Sequence, residues 1–172
     1  MKRINSITIR TKLDPDPDLS YLGEFHEGPR RPFDHRYGDN WFTPGNHWPH
    51  NPKAWEHVTP ESKNEVLAQY DSLKSADYHY ALQDMKRLAD YYAGYWCMTG
   101  AIVTAKIAIS DDGDHWAQDE IAASLWGIES DISEEYKQEI IADLKSEVTK
   151  HLKNWGFTES DIAAAMSLME DT

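Results

Sequence analysis

Cysteine is almost missing from this chain of 172 residues. A lone Cys97 forms no internal disulfide, so the fold is not held by cross-links and a reducing cytoplasm is the expected compartment. Long hydrophobic runs are missing as well. Nothing approaches the roughly 18 to 20 consecutive apolar residues of a membrane span, and Met1-Lys2-Arg3-Ile4-Asn5 leads into alternating sequence, so neither a membrane helix nor an export signal is expected. No Walker loop, dinucleotide glycine fingerprint, nucleophile elbow or paired CxxC is present. The common cofactor classes lose support, no cofactor is expected, and the balance leans away from an enzyme.

Cations are scarce in one place. Residues 1–60 carry eight acids and eight bases, and residues 61–110 six and five, but residues 111–172 carry sixteen acids against four lysines. Almost the whole net charge of -13 therefore sits in the last third. Such a field repels nucleic-acid phosphates and anionic lipid and attracts basic protein surfaces, so no direct nucleic-acid or membrane partner is expected.

What is present is enough to fold. Hydrophobic residues make up 40% of the chain, with seven Trp, nine Tyr and four Phe, which suits one globular domain over 1–172. Asn5, Ile7, Ile9, Thr11 and Leu13 alternate with polar residues as in a half-buried strand. Asp14-Pro15-Asp16-Pro17-Asp18 ends that strand, since proline supplies no ladder donor. The stretch 20–60 is rich in Pro, Gly, His and aromatics without either period and reads as a long irregular region packed by its own side chains.

Thr59-Pro60-Glu61 opens a helix expected to reach about Lys74. A second, capped by Asp77, is expected to bury Leu82, Met85, Ala89, Tyr92 and Trp96 and to stop at Gly94. Ala101 to Ile109 is the clearest strand, and Asp111-Asp112-Gly113-Asp114 turns it back into an antiparallel partner over His115 to Ser124. Ser133 caps an amphipathic helix whose buried stripe is Tyr136, Ile140, Ile141, Leu144, Val148 and Leu152, with Glu134 and Glu135 in its first turn. Gly156 ends it, and Thr158 with Asp161 starts a short last helix. The fold expected is α+β: a small antiparallel sheet of about three strands packed with about four helices.

Three segments together resemble an uncharacterised family of small proteins encoded by phages, prophages and plasmids. They are Asp16-Pro17-Asp18-Leu19-Ser20-Tyr21-Leu22-Gly23-Glu24, the run from Tyr80 to Leu88 with Gly94 to Ala101, and Leu125-Trp126-Gly127-Ile128-Glu129-Ser130-Asp131. The resemblance implies a mobile-element origin, so the cytoplasm expected from the lone cysteine is that of a bacterial host. It implies no reaction and no site residues.

Candidate chemistry falls in two places. The first is a partner-binding surface of Asp119, Glu120, Glu129, Asp131, Glu134, Glu135, Glu139 and Asp143, whose carboxylates suit a host protein with a basic groove that normally holds nucleic acid. A non-enzymatic inhibitor of a host restriction or CRISPR system would work in this way. The second is a metal site of His47, His50 and His57, which have the right donor chemistry for zinc but no standard ligand spacing. A structural or assembly component of a phage is the third reading. Glu129 and Asp131 as a carboxylate pair for acid–base work or a metal, a calcium loop at Asp14, Asp16 and Asp18, and a nucleophilic Cys97 each have a plainer structural explanation in caps, turns and core packing.

Overall fold

The computed structural model describes residues 1–31, 34–45 and 58–171. In chain order its elements are β1 (Lys2–Leu13), β2 (Gly23–His26), β3 (His35–Tyr37), β4 (Asn40–Pro44), α1 (Pro60–Leu67), α2 (Leu73–Tyr92), β5 (Met98–Ile109), β6 (Ala117–Glu129), α3 (Glu134–Asn154), α4 (Glu159–Ser167) and β7 (Glu170–Asp171). The fold is α+β. It divides into two compact units, one of Met1–Pro17 with the chain from Cys97 onward and the other of Asp18–Trp96.

In the first unit the sheet order is β6-β5-β1-β7, antiparallel except for the two-residue β7, which runs parallel to β1 at Thr8 and Ile9. Alternation along β5 sends Ala101, Val103, Ala105 and Ile107 to one face, each at most 7% exposed. There they meet Ile7 and Ile9 of β1, Ile121 and Ala123 of β6, and the buried stripe of α3, namely Ile140, Ile141, Leu144, Val148 and Leu152. This single apolar layer between sheet and helices is the main source of stability, at about 1.5–3 kcal/mol for each large side chain buried. Tyr136, expected on that stripe, is 54% exposed instead.

Local signals explain the helix limits. Ser133 accepts a hydrogen bond from the Tyr136 N–H at 3.2 Å, and Thr158 and Asp161 form a reciprocal capping box. After α3, the Phe157 N–H donates back to the Leu152 carbonyl at 3.1 Å, which drops Phe157 into the core at 5% exposure. β1 departs from simple alternation. A register shift between Ile4 and Ser6 leaves Asn5 as a bulge, so Ile4 rather than Asn5 packs on the core. Leu13, on the expected buried parity, is the last residue of the strand and is 70% exposed.

The second unit contains the order β2-β4-β3, antiparallel throughout. The stretch 20–60 thus carries three short strands where irregular chain was expected. Strands of three to five residues offer too few positions for a period-two pattern to show. Phe42 on the middle strand is fully buried, its ring tilted against that of Phe25 with centroids 5.4 Å apart. The helix break also lies elsewhere than expected: α1 ends at Leu67, and Ser72, not Asp77, caps α2 through the Ser75 N–H. The α2 residues buried are Ala76, Ala81 and Leu88, one position round the helix from the stripe expected: Leu82, Met85 and Ala89 are only half-buried and Tyr92 is 69% exposed, while Trp96, beyond the helix end, is buried.

Candidate functional site

The segment Leu125 to Ser133 joins β6 to α3, and several contacts make it rigid. The ring of Trp126 lies against Gly100, so closely that a Cβ at position 100 would sit 2.3 Å from a ring carbon. Gly127, at φ 73°, lets the strand bulge opposite Gly100, between the pairs Ala101–Leu125 and Thr99–Ile128. Its N–H donates to the Asp14 carboxylate at 3.2 Å. The Thr99 hydroxyl donates to the Ile128 carbonyl at 3.0 Å. Ser130 closes the joint twice, accepting from the Cys97 N–H at 3.0 Å and donating its own N–H to the Cys97 carbonyl at 2.8 Å. The Asp14 carboxylate and the Cys97 backbone thus both belong to this joint.

That joint aims α3 back along β6. On the helix, Glu135, Glu139, Asp143 and Glu147 recur every four residues and are all exposed, forming a stripe that rises about 6 Å per carboxylate. Glu135, in the first turn, is held below the usual carboxylate range by its own backbone N–H and the Ser133 hydroxyl. His151 approaches Glu147 at 3.9 Å. Among the described residues no cation pairs with Glu139 or Asp143. Beside the stripe an open groove of about 330 Å³ runs between helix and strand, lined by Ser124 and Leu125 on β6 and by Tyr136, Glu139, Asp143 and Glu147 on α3.

The eight acids expected to form one surface separate on the structure. Glu135, Glu139 and Asp143 are brought together, and Glu134 stands next to them, bonded by the Gln138 amide at 2.7 Å. Asp119 is exposed near the start of β6, on the parity of Ile121 and Ala123, and its carboxylate accepts the Glu120 N–H. Glu120 pairs across the ladder with Lys106, 3.7 Å away, on the opposite face of the sheet from α3. Glu129 lies opposite Met98 at the strand end and is half-buried, and Asp131 is in the turn before α3. Glu147 is the member that sequence reasoning left out, although its four-residue spacing was the signal. His47, His50 and His57 lie outside the described residues. Among those described, no group of three His, Cys, Asp or Glu is placed to hold a metal, and no helix is long and apolar enough to cross a membrane.

Two polar networks went unread in the sequence. Asp34, 4% exposed, accepts from the Arg31 N–H at 2.5 Å, the Thr43 hydroxyl at 2.7 Å and His26 Nε2 at 3.0 Å. Burial works against its charge, but these donors outweigh it and hold the carboxyl below its ordinary range. His26 Nδ1 is buried without a hydrogen-bond partner among the described residues. The second network is the β5–β6 turn, where Asp112 accepts from the His115 N–H and ring and the Asp114 N–H, and is driven well below the carboxylate range. Both order a turn or a small sheet. No family model, no curated protein and no solved structure matches the chain.

Proposed function

We propose that the chain is an accessory protein of a mobile genetic element that acts by binding another protein, in the cytoplasm of a bacterial host. Its binding face is the acidic side of α3, and its partner is a protein with a basic groove that otherwise holds nucleic acid. The observation that carries this reading is the stripe Glu135, Glu139, Asp143 and Glu147, exposed along one helix that a rigid joint fixes to the sheet. A fixed line of charge costs little to order on binding, and it competes for the same Lys and Arg that hold phosphate. The copy is one of charge rather than of geometry, since one carboxylate per ~6 Å does not repeat the ~3.4 Å axial step of a nucleic-acid strand. Inhibition of a restriction or CRISPR nuclease is the activity that follows.

The experiment is affinity capture from bacterial lysate with the wild-type protein and with a variant carrying Glu134→Lys, Glu135→Lys and Glu139→Lys. A nucleic-acid-handling protein retained by the wild type and lost by an equally folded variant supports the reading. Equal capture by both, or no basic partner, overturns it.

A further inference from the structure

β6 is the outer strand of its sheet. On the side away from β5, its backbone donors and acceptors from Ile121 to Leu125 have no partner strand among the described residues. Exposed edges are usually blunted by charge, and here Asp119 and Glu120 do so at the start of the strand while Ile121 to Trp126 carry none. Within that uncharged length, Ser124 and Leu125 line the groove beside Glu139 and Asp143.

We propose that the partner docks by adding an extended, lysine- or arginine-rich segment as a strand beside Ile121–Leu125, with its basic side chains reaching the α3 carboxylates. This rests on the reading that the acidic face binds a protein, and adds the mode and the ligand pattern. An added strand sends alternate side chains to the α3 side about every 6.7 Å, against about 6 Å between carboxylates of the stripe. The drift reaches only about 1.4 Å over the three pairs that five residues provide, which flexible basic side chains absorb. Leu125 and Tyr136, 45% and 54% exposed, offer an apolar contact at one end. A second copy of this chain is a poor occupant, because pairing β6 with β6 brings two acidic α3 stripes alongside each other. Main-chain bonds would supply affinity and alternate side chains specificity, as in other strand additions.

The test uses a labelled synthetic peptide of alternating lysine and threonine ending in leucine, two versions N-methylated along one edge or the other, and a glycine-spaced peptide of equal charge. Fluorescence anisotropy against the full chain should show binding of the parent peptide. N-methylation of one edge only should weaken it roughly tenfold or more, as should Glu139→Lys with Asp143→Lys. If the glycine-spaced peptide and both methylated peptides bind as well as the parent, and the charge reversal still abolishes binding, strand addition is wrong and the acidic face stands. If the charge reversal changes nothing, or no basic peptide binds, both fail. Sedimentation showing a dimer that excludes the peptide would assign the edge to a second copy and also overturn the proposal.

Discussion

Replacing Gly100 by alanine tests the joint that aims α3. A Cβ there would meet three atoms of the Trp126 ring at 2.3–2.7 Å, so the ring must leave its seat. Trp126 is 42% exposed, and hiding somewhat over half of a ~250 Å² side chain amounts to roughly 3 kcal/mol at about 25 cal/mol per Å². Alanine returns about 0.5–1 kcal/mol by stiffening the strand, so Gly100→Ala should destabilise by about 2 kcal/mol. With Trp126→Ala already in place the clash is gone, and the same Gly100→Ala change should be neutral or stabilising. The sign reversal is the signature: a coupling of about 2–3 kcal/mol in a double-mutant cycle. Urea titrations of the four proteins followed by far-ultraviolet circular dichroism measure it directly. Thermal midpoints should move in step, by about 2–4 °C per kcal/mol. Simple additivity of the two substitutions would refute the contact and with it the account of the joint.

Three other outcomes follow from the packing and the networks. Leu152→Ala, at a site with no exposure, should cost about 2–5 kcal/mol in chemical denaturation; a loss under 1 kcal/mol would mean the helix layer is not the core. Ser133→Ala should remove about 1 kcal/mol by freeing the Tyr136 N–H, and Ser133→Asp should restore it in the same titration. Asp34→Asn should destabilise the smaller unit at neutral pH. Because the folded pKa of Asp34 is depressed, its contribution is present above the unfolded value of about 3.9 and is lost as pH falls through the folded one. The gap between wild type and variant should therefore close below about pH 4, and a gap independent of pH would contradict the role given to Asp34.

Much of the larger unit is legible in its sequence because its elements are long. Twelve residues of β5 and twenty-one of α3 repeat their periods often enough to identify both the element and its buried face, and Ser133, Thr158 and Gly156 mark the ends. The bulge at Asn5 is not legible, since it depends on the register of β5. The smaller unit is harder for a related reason. Its strands are brief, and its polar centre joins Asp34 to residues eight and nine positions away across two ladders, a proximity no spacing rule encodes. The break between α1 and α2 falls at Ser72, with neither glycine nor proline to announce it. For the candidate site, the four-residue repeat of carboxylates on α3 is visible in advance. Which β6 acids share that face is not, because it turns on strand parity: Glu120 lies a single residue out of phase and faces away.

The measurement closest to the central claim is displacement of labelled nucleic acid from the captured partner, titrated in parallel with the wild-type chain and with the Glu139→Lys, Asp143→Lys variant. The account predicts that the wild type releases the nucleic acid with an affinity that falls steeply with salt, and that the variant, equally stable, releases none. Release by the variant at the same concentrations would contradict it.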